Sequence, residues 1–352
     1  MLVINLFLTV KVGTTYSIYD YPTSGISDIK LFHTPSYTTQ SVLVTTYGDV
    51  LPFNNSSVGT SYQTSGLHLH DVDRIFNTPH NFASINSLNY KVDFWGDSNF
   101  ATSDPSSEVI TFDSIKSTLN TFHTDGTYVL DIIPSKGNYG AYAALKSDGS
   151  VVTWGFKTGG GDKTVGVVNG SVSNIDTSLT NPIVASIRNY AAIKTDGSVV
   201  MWGSNDEYDM YYSMPEEIKS SGANVVKLFA SQNAFAALTS SGNLYCWGEE
   251  QEGNTFNSVM SSIAGNDLLT DYIEFSSMSS NYFLKQVVDV KTSTNLFAVL
   301  LQGGGFGEGG RDLYKIYSWG GNFGNFTTAD DRLFSTGRVV SVVSNSNAFT
   351  TI

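Results

Sequence analysis

Cysteine is almost absent from this chain: Cys246 stands alone, so no intramolecular disulfide framework can hold the fold. Charge is also scarce. Only 14% of the 352 residues are charged, and the balance leans acidic, with 32 Asp and Glu against 19 Lys and Arg and a formal net charge of -13. Such a surface repels phosphate backbones, which argues against broad nucleic-acid binding. No apolar run is long enough for a transmembrane helix. The first ten residues, MLVINLFLTV, are apolar but short and lack a basic leader. A signal peptide and a strand tied into the fold both stand as readings, and the strand is the one expected. The 19 Tyr and 21 Phe, ample material for a core, argue against disorder.

Ser, Thr, Asn, Gly and Tyr fill the place of the missing charge, and 33 Gly with this composition imply many strands and tight turns. One phrase recurs. AYAALKSDGSVVTWG (141–155) returns as YAAIKTDGSVVMWG (190–203) and as AFAALTSSGNLYCWG (234–248). An apolar run, a Gly-bearing turn and a second β-prone run ending in Trp-Gly read as a hairpin. The small Ala residues imply scarce space, and the Gly after Trp implies a bend or a close backbone approach. Weaker copies occupy 81–96, 296–320, where a glycine-rich insertion lengthens the turn, and 41–53; 347–352 begins the phrase and stops. A short apolar segment precedes each copy: IKLF, VDRIF, YVLDII, IVASI, VVKLF, VVDV and VVSVV. Trp-Gly pairs start at Trp95, Trp154, Trp202, Trp247 and Trp319. The unit is therefore roughly 45 to 50 residues, with two long insertions, and neighbouring units must bury each other's apolar faces. The expected fold is all-β, a seven-bladed β-propeller forming one domain over 1–352. The N-terminal segment is expected to supply the strand missing from the last unit and to close the ring, because an open edge is a liability.

The phrase resembles the repeat of the regulator of chromosome condensation (RCC1) family and of the related beta-lactamase-inhibitor protein II (BLIP-II) superfamily. The likeness rests on A-F/Y-A-A-L/I-K-x-D-G-S-V-V-x-W-G at 141–155 and 190–203, and more weakly on the other copies. It implies a seven-bladed propeller closed by strands from both termini. It implies little about function, because members include exchange factors, a photoreceptor, ligase modules and enzyme inhibitors. This chain lacks the basic tail of the exchange factor, and the dense Trp-Arg cluster of the photoreceptor.

Trp95, Trp154, Trp202, Trp247 and Trp319, with Gly96, Gly149, Gly155, Gly197, Gly203, Gly242, Gly248 and Gly320, read as structural repeat positions. Asp148 and Asp196 sit beside tip glycines, and Ser241 and Leu88 hold the matching places, so a turn role outweighs acid-base chemistry. His68 and His70 in LHLHD have a metal-like i, i+2 spacing, but no third ligand is evident. KTGGGDK at 157–163 and the glycines from Gly303 to Gly310 lack the strand, loop and helix setting of a phosphate cradle and read as flexible inserted loops. Cys246, between Tyr245 and Trp247, reads as a small buried hydrophobe. Asn-x-Ser/Thr sequons begin at Asn54, Asn55, Asn169 and Asn325.

The strongest candidate surface follows the Trp-Gly pairs. Glu249, Glu250 and Glu252 follow Trp247, while Asp206, Glu207, Tyr208, Tyr211 and Tyr212 follow Trp202. Glu308 and Arg311 lie in the later insertion. Ring symmetry would bring the post-Trp loops to one rim, where aromatic rings supply contact area and acids steer a basic partner. A solvated acidic face is the plain alternative. The expected function is non-catalytic protein binding without metal or cofactor, through an unidentified protein partner. A structural component of a virion or extracellular assembly is the alternative, with self-association its mark, and an enzyme ranks third. Cytoplasmic and virion or extracellular locations stay open.

Overall fold

The computed structural model describes residues 29–33, 40–45, 48–54, 69–96, 109–137, 140–204, 214–248, 273–275, 282–293, 297–306, 312–319, 342–344 and 349–351. They form an all-β, multi-sheet architecture of seven antiparallel sheets taken in chain order. The first holds β1 (Ile29–His33), β2 (Gln40–Thr45) and β3 (Val50–Asn54). The second holds β4 (Val72–Asn77), β5 (Asn81–Asn86) and β6 (Val92–Gly96). In the third, β7 (Val109–Ile110) pairs outside β10 (Val151–Phe156), which pairs with β9 (Tyr142–Lys146) and then β8 (Val129–Pro134). Between β7 and β8 lie two helices, α1 (Phe112–Leu119) and α2 (Phe122–Asp125).

The fourth sheet is β11 (Ile183–Ala185), β12 (Asn189–Ile193) and β13 (Val199–Gly203). A short helix, α3 (Glu216–Lys219), leads to the fifth, built on β14 (Val225–Ala230), β15 (Ala234–Thr239) and β16 (Leu244–Gly248). Its far side adds β17 (Ile273–Phe275) and β18 (Tyr282–Leu284), with β18 next to β16. The sixth is β19 (Val287–Thr292), β20 (Phe297–Phe306) and β21 (Asp312–Trp319). The last pairs β22 (Val342–Ser344) with β23 (Phe349–Thr351).

Each recurring phrase forms the second and third strands of its sheet, except the copy at 347–352, which forms β23 alone, and each short upstream segment holds the first. First strands of successive sheets approach one another: β4 meets β8, β8 meets β11, β11 meets β14, β14 meets β19 and β19 meets β22. The segment expected to close the ring, Leu2 to Val12, lies outside the described residues.

The small residues of the phrase have a packing reason. Ala143 and Leu145 of β9, with Ala141 just before it, point to the fourth sheet, while Tyr142 and Ala144 point to the second. Both faces are buried, so the run is apolar throughout rather than alternating. On the face toward the preceding sheet, the aromatic at the second place of the phrase stacks on the Trp paired with it across the hairpin. Centroids are 5.5 Å apart for Phe82–Trp95, 5.1 Å for Tyr142–Trp154 and for Tyr190–Trp202, 5.5 Å for Phe235–Trp247 and 5.4 Å for Phe297–Trp319. Each stacked pair packs on small or β-branched residues of the sheet before it. Tyr190 and Trp202 meet Ala141 and Ala143, Phe297 and Trp319 meet Ala234 and Ala236, and Phe82 and Trp95 meet Val42 and Val44. Large on small is how adjacent sheets reach close packing, and each stack adds about 0.5–1.5 kcal/mol beyond its burial.

The sheets are also joined by main chain. The tip glycines Gly48, Gly149, Gly197 and Gly242 have φ of 77 to 84°. Their carbonyls accept the N–H of Val72, Ile175, Val225 and Val287, at 3.0, 3.0, 3.0 and 3.1 Å. The acceptor belongs to one sheet and the donor opens the next. The residue before each donor, Asp71, Asn174, Asn224 or Gln286, has φ of 53 to 60°. Its carbonyl returns to its own sheet's tip, accepting from Ser87, Thr195 or Ser240 N–H at 2.7, 2.9 and 2.9 Å in the first three cases. In five sheets a register shift follows the first residue of the first strand, at Ile29/Leu31, Val72/Arg74, Val129/Asp131, Val225/Lys227 and Val287/Asp289. The fourth sheet widens that bulge into a loop, so that Ile175 bridges Lys194 while β11 starts only at Ile183.

Two expectations change. KTGGGDK is not a flexible loop. Lys157–Gly159 forms a 3-10 turn, a Cβ on Gly161 would lie 2.5 Å from the Gly155 carbonyl carbon, and the Gly160 carbonyl accepts Trp202 Nε1 at 3.1 Å. The segment is packed because it roofs the Tyr190–Trp202 stack. The glycine-rich insertion of the sixth hairpin is partly ladder: β20 runs through Phe306, which pairs with Asp312 after an irregular stretch from Gln302.

Candidate functional site

The residues repeated most faithfully are those committed to the scaffold. Gly96, Gly203 and Gly248 follow Trp with φ of 133 to 137°, and Gly155 with 99°. A Cβ on Gly96 would stand 2.7 Å from Asn81 Cα, and one on Gly248 2.5 Å from Ala234 Cα, which confirms the close approach read from the sequence. Gly320 lies outside the described residues. Asp148 Oδ1 accepts Ser150 N–H at 2.9 Å and its hydroxyl at 2.6 Å; Asp196 accepts the same pair from Ser198 at 3.0 and 2.6 Å. These hydrogen bonds hold the Asp196 carboxyl below the usual range; at Asp148 they outweigh an opposing effect of burial. Both aspartates are turn caps.

A second repeated device was not read from the sequence. The connector between first and second strands carries a buried hydroxyl, Thr78, Ser135, Ser186 or Ser231. Each accepts the N–H that opens the next strand, from Asn81, Ala141, Asn189 and Ala234 at 3.2, 3.2, 3.0 and 3.0 Å. The sequence signal is the Thr or Ser that follows the first strands, as in HTPSY (33–37) and NTPHN (77–81). Two tyrosines add bonds between sheets. The Tyr142 hydroxyl donates to Asn81 O at 2.6 Å and accepts Thr78 N–H at 3.0 Å; Tyr190 donates to Ala141 O at 2.9 Å. Burial pushes both phenols above their ordinary value.

His70 is exposed and bonded to Asp49 at the preceding sheet's tip, which gives it a structural partner. His68 lies outside the described residues. Among the described residues, no group of three His, Cys, Asp or Glu could hold a metal ion. Cys246 is buried and its thiol is pushed up by burial, away from nucleophilic chemistry. The Asn169 side chain donates to Val199 O at 2.8 Å and Lys219 O at 2.7 Å, so its sequon amide is occupied within the fold. The rim residues Asp206, Glu207, Tyr208, Tyr211, Tyr212, Glu249, Glu250, Glu252, Glu308 and Arg311 lie outside the described residues.

One junction departs from the repeat. At the tip of the second sheet, Tyr90 stands where the other tips have glycine, with φ of 57°. Its ring packs on Tyr128 at 4.2 Å and Phe122 at 5.0 Å. The neighbouring helix α1 turns Phe112, Ile115 and buried Leu119 toward the sheets, and Phe112 stacks on Phe94 at 5.3 Å. Asn120, at its end, accepts Val92 N–H at 2.8 Å, and Lys146 Nζ donates to Thr118 O at 3.2 Å and Thr121 Oγ1 at 2.7 Å. The insert is thus pinned to both sheets. Between it and the tip opens a cleft of 520 Å³ lined by Asn89, Lys91, Asp113, Lys116, Ser117, Asn120, Phe122 and His123.

The Regulator of chromosome condensation (RCC1) repeat profile matches residues 225–254, so the chain carries a distant, partial RCC1-repeat-like region. Its solved neighbours include yeast RCC1 (Prp20) bound to Kap60, 16% identical over 83% of this chain and 70% of that one, with a TM-score of 0.43. The ectodomain of the Physcomitrella patens receptor kinase CR4 is 10% identical over 91% and 68%, with a TM-score of 0.41. The C-terminal domain of gp131 from bacteriophage phiKZ is 11% identical over 60% and 57%, with a TM-score of 0.31. No curated protein matches the chain. No helix among the described residues is long and apolar enough to cross a membrane.

Proposed function

We propose that the chain is a seven-bladed ring, closed by its N-terminal segment, that acts as a non-catalytic protein-binding scaffold. One observation carries this reading: the repeat's polar and aromatic residues are consumed in holding sheets together. Asp148 and Asp196 cap turns, Thr78, Ser135, Ser186 and Ser231 tie connectors, and Tyr142 and Tyr190 bond across sheets. What varies between units is inserted at tips and after Trp-Gly, where a rigid scaffold positions binding loops. Acids and tyrosines in the post-Trp loops suit a protein partner with a basic surface.

Capture of partners by the tagged chain tests the proposal, at ~0.15 M and ~1 M salt, because screening weakens exposed charge contacts. A partner lost at high salt and after neutralising Glu249, Glu250 and Glu252 supports the acidic rim. A partner indifferent to both overturns that surface. Recovery of the chain alone overturns the scaffold reading in favour of self-assembly.

A further inference from the structure

The junction of the second and third sheets breaks the rule that the other described tips follow. Elsewhere a glycine carbonyl clasps the next sheet; here Tyr90, Tyr128 and Phe122 form an aromatic wedge, and the helical insert stands over it. A local break in an otherwise consistent scaffold is where function is expected to sit. The cleft beside the wedge has the size of a ligand site, 520 Å³.

In a protein of net charge -13, the walls bring together Lys91, Lys116 and His123 with one acid, Asp113. Lys91 is already paired with Asp93 at 2.7 Å. Asn120 is held by Val92, and the Asn89 side chain accepts Lys91 N–H at 2.9 Å. The groups left to meet a ligand are Lys116 Nζ, the Ser117 hydroxyl and the His123 ring nitrogens, which make no hydrogen bond among the described residues. All three can donate, and Lys116 can only donate. At the same tip, next in the chain to Asn89 of the cleft wall, Leu88 is 71% exposed, the most exposed large hydrophobic of the described residues.

From this geometry we infer that the cleft is a docking site for an acidic peptide segment of a partner protein. A carboxylate would sit against Lys116, Ser117 and His123, and a neighbouring apolar side chain would cover Leu88. This rests on the protein-binding reading above but uses a different surface from the acidic rim, and it takes ligands of the opposite charge. The open shape of a tip-and-helix cleft admits a chain passing through rather than only an enclosed small molecule.

The test uses the full chain and three probes: a labelled eight-residue peptide of alternating Glu and Leu, its counterpart with Gln for Glu, and inorganic phosphate as competitor. Anisotropy titrations are expected to show the Glu peptide binding about tenfold more tightly than the Gln peptide, as opposite charge meeting Lys116 requires. Lys116→Glu and Leu88→Ser should each weaken it about fivefold or more. The remote Lys227→Glu, on β14, should leave it unchanged, and thermal melts check that each variant folds. Equal binding of the two peptides, or no effect of Lys116→Glu in a folded chain, overturns the inference. Displacement by phosphate with no effect of Leu88→Ser also overturns it, and assigns a small-anion site instead. These outcomes do not depend on the partner capture, so failure of the cleft and failure of the scaffold reading are separable.

Discussion

Two glycines with the same backbone angle make a controlled test of how the sheets are joined. Gly149 and Gly126 both have φ of 77°. A Cβ on Gly149 would lie 2.7 Å from Ile175 O, in the next sheet, whereas a Cβ on Gly126 would meet nothing within 4 Å. Gly→Ala at either place costs about 1–2 kcal/mol for a left-handed non-glycine residue. The gain from a stiffer unfolded chain is also shared. Gly149→Ala alone must push the next sheet's backbone away. That adds about 1–3 kcal/mol of overpacking, and weakens the 3.0 Å bond from Ile175 N–H to Gly149 O. The expected totals are about 1–2 kcal/mol for Gly126→Ala and about 2–5 kcal/mol for Gly149→Ala. Urea unfolding followed by tryptophan fluorescence reads the difference, and amide exchange at Ile175 reads it locally. Equal destabilisation within ~0.5 kcal/mol, or unchanged protection of Ile175, would refute the clasp.

Three further outcomes follow from the same packing. Trp202→Phe should cost about 1–2 kcal/mol more than Trp154→Phe, because Trp202 Nε1 donates to Gly160 O while Trp154 Nε1 is buried without a partner among the described residues; paired unfolding curves check this. Tyr142→Phe should cost about 0.5–1.5 kcal/mol, the loss of the hydroxyl's bonds to Asn81 O and Thr78 N–H, which keep the 3.0 Å bond they make to each other. The phenol's folded pKa is raised, so its contribution is full below about pH 10, the unfolded value, and is lost as pH rises beyond it. Alkaline unfolding should therefore be less steep with pH in Tyr142→Phe. Cys246 should resist a thiol reagent at pH 8 in the native chain and react as the chain unfolds in urea, which timed labelling measures.

The hairpins, their Trp-Gly ends and the seven first strands were legible because each is written within a few residues. The Gly after Trp advertises its own constraint, since no side chain fits there. Partners distant in sequence were not legible. Nothing near Gly149 says that its carbonyl holds Ile175, and nothing near Tyr142 names Asn81. The alanines were read as a sign of scarce space, but what fills the space, the next sheet's aromatic stack, needs the fold. The helix over Phe112, Ile115 and Leu119 did leave a signal, apolar residues at i, i+3 and i+7, inside a stretch that read only as insertion. The acidic loops after Trp-Gly stand out by composition, whereas the cleft joins residues from Asn89 to His123 that no local window unites.

Tyr90 shows why departures from a repeat carry more functional information than its copies. A left-handed tyrosine is disfavoured by about 1–2 kcal/mol, and glycine at the same place in other tips avoids that cost. The position could revert to glycine without touching any other unit, since each tip engages only its neighbour. What holds the tyrosine is the wedge with Tyr128 and Phe122, and what the wedge supports is the insert bearing Lys116 and His123. Tyr90→Gly should then relieve local strain yet remove the insert's aromatic support. If the wedge exists to shape the cleft, the variant will keep its overall stability within about 1 kcal/mol and lose binding of the Glu-Leu peptide. If the tyrosine is only a tolerated variant of the turn, peptide binding will be unchanged.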